Sequence, residues 1–330
     1  MPVWSKKNTS KRLRLFFATD VHCSEPTFRK FINAGKFYNV DALILGGDIT
    51  GKMLVPIIDL GGQNYRATLQ SKTRNFNAAE LPEFESRLAK LGFSAILSEQ
   101  EFLQLSGDRP AVARLFQEKA RKRLSTWIRL AEERLAGTHI RCYVTGGNDD
   151  HIEVLEVMHQ EARDRVVVCE EKRIELDEGG HTLISLGYSN PTPWHTPREI
   201  SEEDLASRIE QAFNGVTDCS RLVFNMHVPP VDSSLDTCPM LDPSTDPPSV
   251  ITSGGEPVMF GAGSQAVRQA IQKYQPLVAL HGHIHESRGV ISIGRTTAIN
   301  PGSEYGEGIL RGVIVTLAGD KVESTQMTSG

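Results

Sequence analysis

Five short runs along the chain carry side chains of the types that can hold metal ions. They are Asp20-Val21-His22, Gly46-Gly47-Asp48, Gly146-Gly147-Asn148-Asp149, Asn225-Met226-His227 and Gly282-His283-Ile284-His285. Asp20, Asp48, Asn148, His22, His227, His283 and His285 offer oxygen and imidazole donors and no thiolate. Such a set suits Mn, Fe, Zn or Co better than calcium or magnesium alone. In an extended segment residues i and i+2 point the same way, so Asp20 and His22 can grip one ion together. His283 and His285 can share an ion or serve two neighbouring ones. Two ions ~4 Å apart need a bridging carboxylate. Asp48 is the candidate, because the glycines before it let backbone approach a charged centre. Singly these runs mean little: Asp149-Asp150-His151 is a decoy Asp-x-His, Gly-Gly-Asp is also an ordinary turn, and a lone His227 fits a hydrogen-bonded core. Together and in order they point to one site.

Each run sits at or just past the end of an apolar stretch rich in β-branched and aromatic residues. Strands are expected at Leu13–Ala18, Ala42–Leu45, Ile140–Val144, Val166–Cys169, Thr182–Leu186, Leu222–Met226, Leu277–Leu280, Val290–Ile293 and Gly312–Leu317. Helical spacing covers Glu25–Tyr38, a segment from Glu80, Ala111–Ala136 and Ile152–His159. Strands alternating with helices predict an α/β layered fold, and open α/β sheets place ligands at strand carboxyl ends. Two stretches read as additions: a helical insertion at about 51–137, and a long irregular loop at 231–262. The loop holds Asp232, Asp236, Asp242, Asp246 and Glu256, five prolines, and no lysine or arginine. Loops of that length are usually functional.

The chain has 330 residues, 36 Lys+Arg, 41 Asp+Glu, 39% hydrophobic residues and a formal charge of −5. Residues 231–262 match that whole charge by themselves. The balance argues against general nucleic-acid coating, which needs a basic face. The basic run Lys119-Ala120-Arg121-Lys122-Arg123 lies in a nearly charge-balanced segment and reads as a solvated helix face. No apolar run approaches the ~20 residues that span a membrane. Basic residues from Lys6 to Arg14 precede and interrupt the apolar run ending at Ala18, which is too short for a secretory h-region. The five cysteines are far apart and form no Cys-x-x-Cys pair, so a reducing cytoplasm is expected.

The ordered series resembles the calcineurin-like metallophosphoesterase family, whose pattern is D-x-H, G-D, G-N-H-D/E, H, G-H-x-H. Asn300-Pro301-Gly302-Ser303 is similar to the turn that follows in that family. The resemblance implies an αββα sandwich of two mixed β-sheets flanked by helices, in a single domain over 1–330. It implies two divalent transition-metal ions, one held by Asp20, His22, Asp48 and His285, the other by Asp48, Asn148, His227 and His283. The implied reaction is hydrolysis of a small phosphate ester by a hydroxide held between the ions, with phosphodiesters or nucleotide-like esters preferred. A phosphomonoesterase or nucleotidase is the alternative, and a metal-binding scaffold that lost activity is the rival of another class. The chain departs from the family at Asp149, where the family carries the histidine thought to protonate the leaving group. Asp149 and His151 are therefore the candidates for general acid or substrate contact. Lys52 and Asn148 are candidate substrate contacts. The absence of an Asp-Arg pair after Asp48 separates the chain from Ser/Thr protein phosphatases.

Overall fold

The computed structural model describes residues 12–330 apart from 52, 70 and 246. The expected contact Lys52, the basic residues Lys6, Lys7 and Lys11, and Asp246 lie outside the described residues. All nine apolar runs form strands, and they divide between two six-stranded mixed sheets. In the first, Leu13–Ala18, Ala42–Leu45, Arg141–Val144 and Val166–Val168 run parallel, with Arg311–Ala318 and Lys321–Ser329 added antiparallel at one edge. In the second, Thr182–Leu186, Leu222–Met226, Val278–Leu280 and Thr296–Asn300 run parallel, with antiparallel Arg173–Glu175 and Gly289–Ile293 at the edges.

Alternation along each strand divides the core into layers. Phe16, Leu43, Leu45, Cys142 and Val144 join a cluster with residues of helices Glu25–Phe37, Arg109–Leu135 and Ile152–Glu161. The intervening Leu15, Phe17, Ile44 and Tyr143 join Leu183, Val223, Val278, Leu280 and Ile299 of the second sheet. Ile184, Leu186, Phe224, Met226 and Ala279 face helices Glu202–Ala212 and Gln265–Tyr274. Successive side chains point to opposite faces, and here both faces are buried. That is why these strands read as unbroken apolar runs.

Register explains why the motif loops meet. Ala18 pairs with Leu45 and Leu45 with Val144, so three carboxyl ends of the first sheet lie level. In the second sheet Asn225 pairs with Leu280, and Leu280 with Ile299. All five runs begin within a few residues of these ends.

Both expected insertions differ from their sequence reading. Residues 51–137 are not simply helical: Leu54–Gly61, Asn64–Leu69, Lys72–Asn77 and Phe93–Ser98 form a four-stranded sheet with its own small core of Val55, Ile57, Ala67, Phe76, Phe84 and Leu88. Two of its strands, Asn64–Leu69 and Lys72–Asn77, mix charged with apolar residues, as in Tyr65-Arg66-Ala67-Thr68, so no apolar run marks them. Helix Arg109–Leu135 belongs to the main core, where Trp127 stacks on Phe28 with ring centroids 4.1 Å apart. On its basic run, Arg123 donates to the Cys23 carbonyl at 2.8 Å and Arg121 to that of Glu153. The 231–262 stretch is a ladder rather than an irregular loop. Thr237–Pro239 pairs with Met259–Gly261, and two shorter pairs, Leu241–Asp242 with Ser249–Val250 and Thr252–Ser253 with Glu256–Pro257, extend it. Pro and Gly at every bend masked these two- and three-residue strands.

Candidate metal centre

Asp20, His22, Asp48 and His283 all adopt positive φ, at 53°, 38°, 46° and 67°. Non-glycine residues avoid this region, at a cost of about 1–3 kcal/mol each, unless their surroundings hold them there. Backbone hydrogen bonds supply the hold. Asp20 N–H donates to the Gly47 carbonyl and His22 N–H to that of Asp48, each at 3.0 Å. Gly282 N–H donates to the His227 carbonyl at 2.8 Å, tying the fourth run to the fifth. A Cβ on Gly147 would collide with the Asp48 carboxylate, and one on Gly282 with that of Asp20. Those two glycines let neighbouring loops close over the aspartates.

The result is a buried polar cluster. His285 Nε2 lies 3.3 Å from Asp20 Oδ1, and His22 Nε2 lies 3.2 Å from His285 Nε2 and 3.6 Å from Asp48 Oδ2. His227 Nε2 lies 3.4 Å from Asp48 Oδ1 and 3.8 Å from Asp20 Oδ1. His283 Nδ1 and Asn148 Oδ1 are 2.8 Å apart. Asp20, Asp48, Asn148, His22 and His227 are each 2% exposed or less.

Charge and tautomer follow from this packing. His227 Nδ1 donates to the Gly46 carbonyl at 3.1 Å, which turns Nε2 toward the two carboxylates. Nε2 is buried and, among the described residues, makes no hydrogen bond of good geometry. Burial opposes a charge on His227, but Asp48 and Asp20 outweigh it and push the imidazole up to about 9. Burial likewise works against ionised Asp20, and His227 and His285 overcome it, holding the carboxyl well below the usual range. The pocket therefore stabilises positive charge, either a proton or a metal ion. Ligand atoms of Asp20, His22 and His285 lie within 4.8 Å of one another, as do those of Asp48, His227 and His283, and those of His22, Asp48 and Asp149. With oxygen and imidazole donors around an orphaned His227 Nε2, these residues fit divalent metal ions.

The structure brings six of the seven motif side chains into these groupings, with Asn148 against His283. The two acid candidates separate from the cavity. Asp149 donates its N–H to Asp48 Oδ1 at 2.9 Å and holds Oδ2 3.8 Å from His22 Nδ1. His151 caps helix Ile152–Glu161, with its ring 6.4 Å from that of Phe116. Neither is among the residues lining the adjoining cavity.

Sequence reasoning missed the supports. Asp150, read as part of a decoy triplet, is buried and clamps the second run to the third: it accepts from Gly147 N at 2.7 Å, Ile49 N at 3.0 Å, and Thr50 N and Oγ1 at 2.7 and 2.6 Å. Burial first, and nearby Asp48 second, raise its carboxyl above the usual range despite those donors. Arg198 pairs with Glu170 and donates to the Gly147 carbonyl at 3.0 Å. Asn148 Nδ2 donates to Thr196 Oγ1 at 2.8 Å, and Thr196 donates to Glu199 at 2.7 Å. Asn300 Nδ2 donates to the Ile284 carbonyl at 2.9 Å, and Ser303 Oγ to that of Asp20 at 2.7 Å. Of these, only the Asn300–Ser303 turn carried a sequence signal.

No description of a known family matches the chain. An uncharacterised protein of Methanocaldococcus jannaschii is 28% identical over 121 residues, 36% of this chain and 47% of that protein. The chain thus spans about half the length of the curated relative it matches. A solved crystal structure is similar over 96% of this chain and 99% of its own, at 16% identity and a TM-score of 0.57. A novel archaeal phosphodiesterase covers 96% and 100%, at 12% identity and a TM-score of 0.36. Yfce, a phosphoesterase from E. coli, covers 95% and 98%, at 11% and 0.34. The resemblance to the calcineurin-like metallophosphoesterases is carried by the ordered motifs from Asp20 to His285; the first of these structures, at 16% identity, shows a likeness of fold alone. Among the described residues no helix is long and apolar enough to cross a membrane.

Proposed function

We propose that the chain is a metal-dependent hydrolase of a small phosphate ester, with phosphodiesters or nucleotide-like esters ahead of monoesters. The observation that carries this reading is the adjoining ligand groupings of Asp20, His22 and His285 and of Asp48, His227 and His283, built around two buried carboxylates. Asp20, His22, Asp48 and His285 would hold one ion, and Asp48, Asn148, His227 and His283 a second, with Mn, Fe, Zn or Co as the ions the donors favour. Such ions supply Lewis acidity toward phosphate oxygens and a water made acidic enough to attack at neutral pH.

The chain's residues orient and exclude. The Gly46 carbonyl fixes the His227 tautomer, and the Asp149 N–H fixes Asp48. We assign the Asp149 carboxylate to positioning His22 rather than to protonating a leaving group, because its Oδ2 lies 3.8 Å from His22 Nδ1. An ester with a good leaving group then needs no protein acid. The layered clusters support an αββα sandwich and one domain bearing two insertions. Five free cysteines, three of them buried, support a reducing cytoplasm. The scaffold alternative is not favoured, since the ligand set is whole.

A substrate panel of mono- and diester chromogens, cyclic nucleotides and single-stranded DNA, run with each metal, tests the reading. Metal-dependent turnover of a small ester is expected. Full metal loading without turnover of any ester would contradict it.

A further inference from the structure

We propose that the cavity beside the metal centre receives a phosphate ester whose alcohol part is uncharged, flat and aromatic. This rests on the phosphoesterase reading above and narrows its substrate. The cavity, about 420 Å³, has Asp48, Asn148, His283 and His285 on one side. That volume is in the range of small-molecule sites, roughly 300–1,000 Å³. Its lining also includes Pro193, Trp194, Pro239, Leu241, Val250 and Phe260.

Charge decides against an anionic tail. Among the described residues lining the cavity there is no lysine or arginine, and the only acid besides Asp48 is Glu286. A second phosphate or a carboxylate would leave water for a wall with no cation to meet it. Among the described residues, the acids of the 231–262 ladder do not line the cavity, and the ladder's contribution there is mainly apolar. Asp236, in particular, is buried at the ladder's base, accepting from Asp232 N at 2.9 Å and Ser233 N at 3.1 Å.

The aromatic faces are exposed and held in place. Trp194 is 53% exposed and Phe260 36%, although both are large apolar side chains. Glu199 fixes the Trp194 turn by accepting from Thr192 N at 2.9 Å and Thr196 N at 2.8 Å. Trp194 N donates to Thr192 Oγ1 at 3.1 Å. The same Thr196 hydroxyl accepts from Asn148, so the tryptophan turn is registered to the metal centre. Phe260 pairs with Cys238 in the ladder, and both line the cavity. A phosphate at the metal centre thus places its organic part in a cavity lined by two exposed aromatic side chains, where a flat ring gains by stacking.

The test is calorimetric titration of the full chain, loaded with manganese, with three unreactive phosphonates of equal charge: phenyl, cyclohexyl and methyl. Phenylphosphonate should bind at least tenfold tighter than methylphosphonate and tighter than cyclohexylphosphonate. Trp194→Ala and Phe260→Ala should each bring the phenyl-to-methyl ratio toward one, and Trp194→Phe should restore it. Equal binding of phenyl and methyl, or of phenyl and cyclohexyl, would overturn the proposal alone. Failure of all three to bind would overturn the phosphoesterase reading together with it.

Discussion

The two walls of the cavity are built on opposite terms. The metal-centre wall uses buried carboxylates and imidazoles on left-handed backbone, clamped by Asp150, Asn300 and interstrand carbonyls. The outer wall uses exposed Trp194, Val250 and Phe260 on a turn and on two- and three-residue strands. One wall spends conformational strain to fix a few atoms, whereas the other offers surface that needs only shape. The contrast assigns chemistry to the first wall and choice of substrate to the second, and substitutions on the first should have the larger effects.

The largest effect is expected at Asp48. Asp48→Asn should lower kcat/KM by about a thousandfold, because it removes charge from between the two ligand groupings. Metal content measured on the same sample should fall with it, and full activity would break the assignment. Next is Asp150, which never faces substrate. Asp150→Ala leaves three buried N–H groups and a hydroxyl without their acceptor, so it should destabilise the fold by about 4 kcal/mol in urea unfolding. A change below ~1 kcal/mol would mean that the clamp is not needed.

A smaller effect is expected at Asp149. Asp149→Asn should weaken metal binding by about 10–100-fold while leaving the pH profile of kcat unchanged in shape. Loss of the basic limb of that profile would instead make Asp149 a proton donor. The smallest effect falls on the outer wall. Hydrogen bonds from Thr192 and Thr196 outweigh partial burial and hold the Glu199 carboxyl below its ordinary value of 4.5. A lowered carboxyl contributes stability above the unfolded value and loses it as pH falls through the folded one. The stability gap between wild type and Glu199→Gln should therefore be constant from pH 8 to 6 and close below pH ~4.

The same contrast governs what the sequence disclosed. Strands buried on both faces, such as Leu13–Ala18 and Leu222–Met226, announce themselves as apolar runs, and the ligands sit at their ends. Asp150 did not announce itself, since an acceptor for four backbone and hydroxyl donors looks like any aspartate until the second and third loops are side by side. The hairpin at 64–77 was hidden because its strands are exposed and mixed in polarity, and the ladder at 237–261 because its strands are only two or three residues long. The aromatic wall was hidden too: Trp194 and Phe260 lie 66 residues apart in the chain, and only the fold sets both beside His283.

The central claim is a shared two-ion site around Asp48. Anomalous diffraction from crystals of the full chain grown with manganese tests it most directly. The account predicts two anomalous peaks about 4 Å apart, with Asp48 between them, one beside Asp20, His22 and His285 and the other beside Asn148, His227 and His283. A single peak, or peaks away from Asp48, would contradict it.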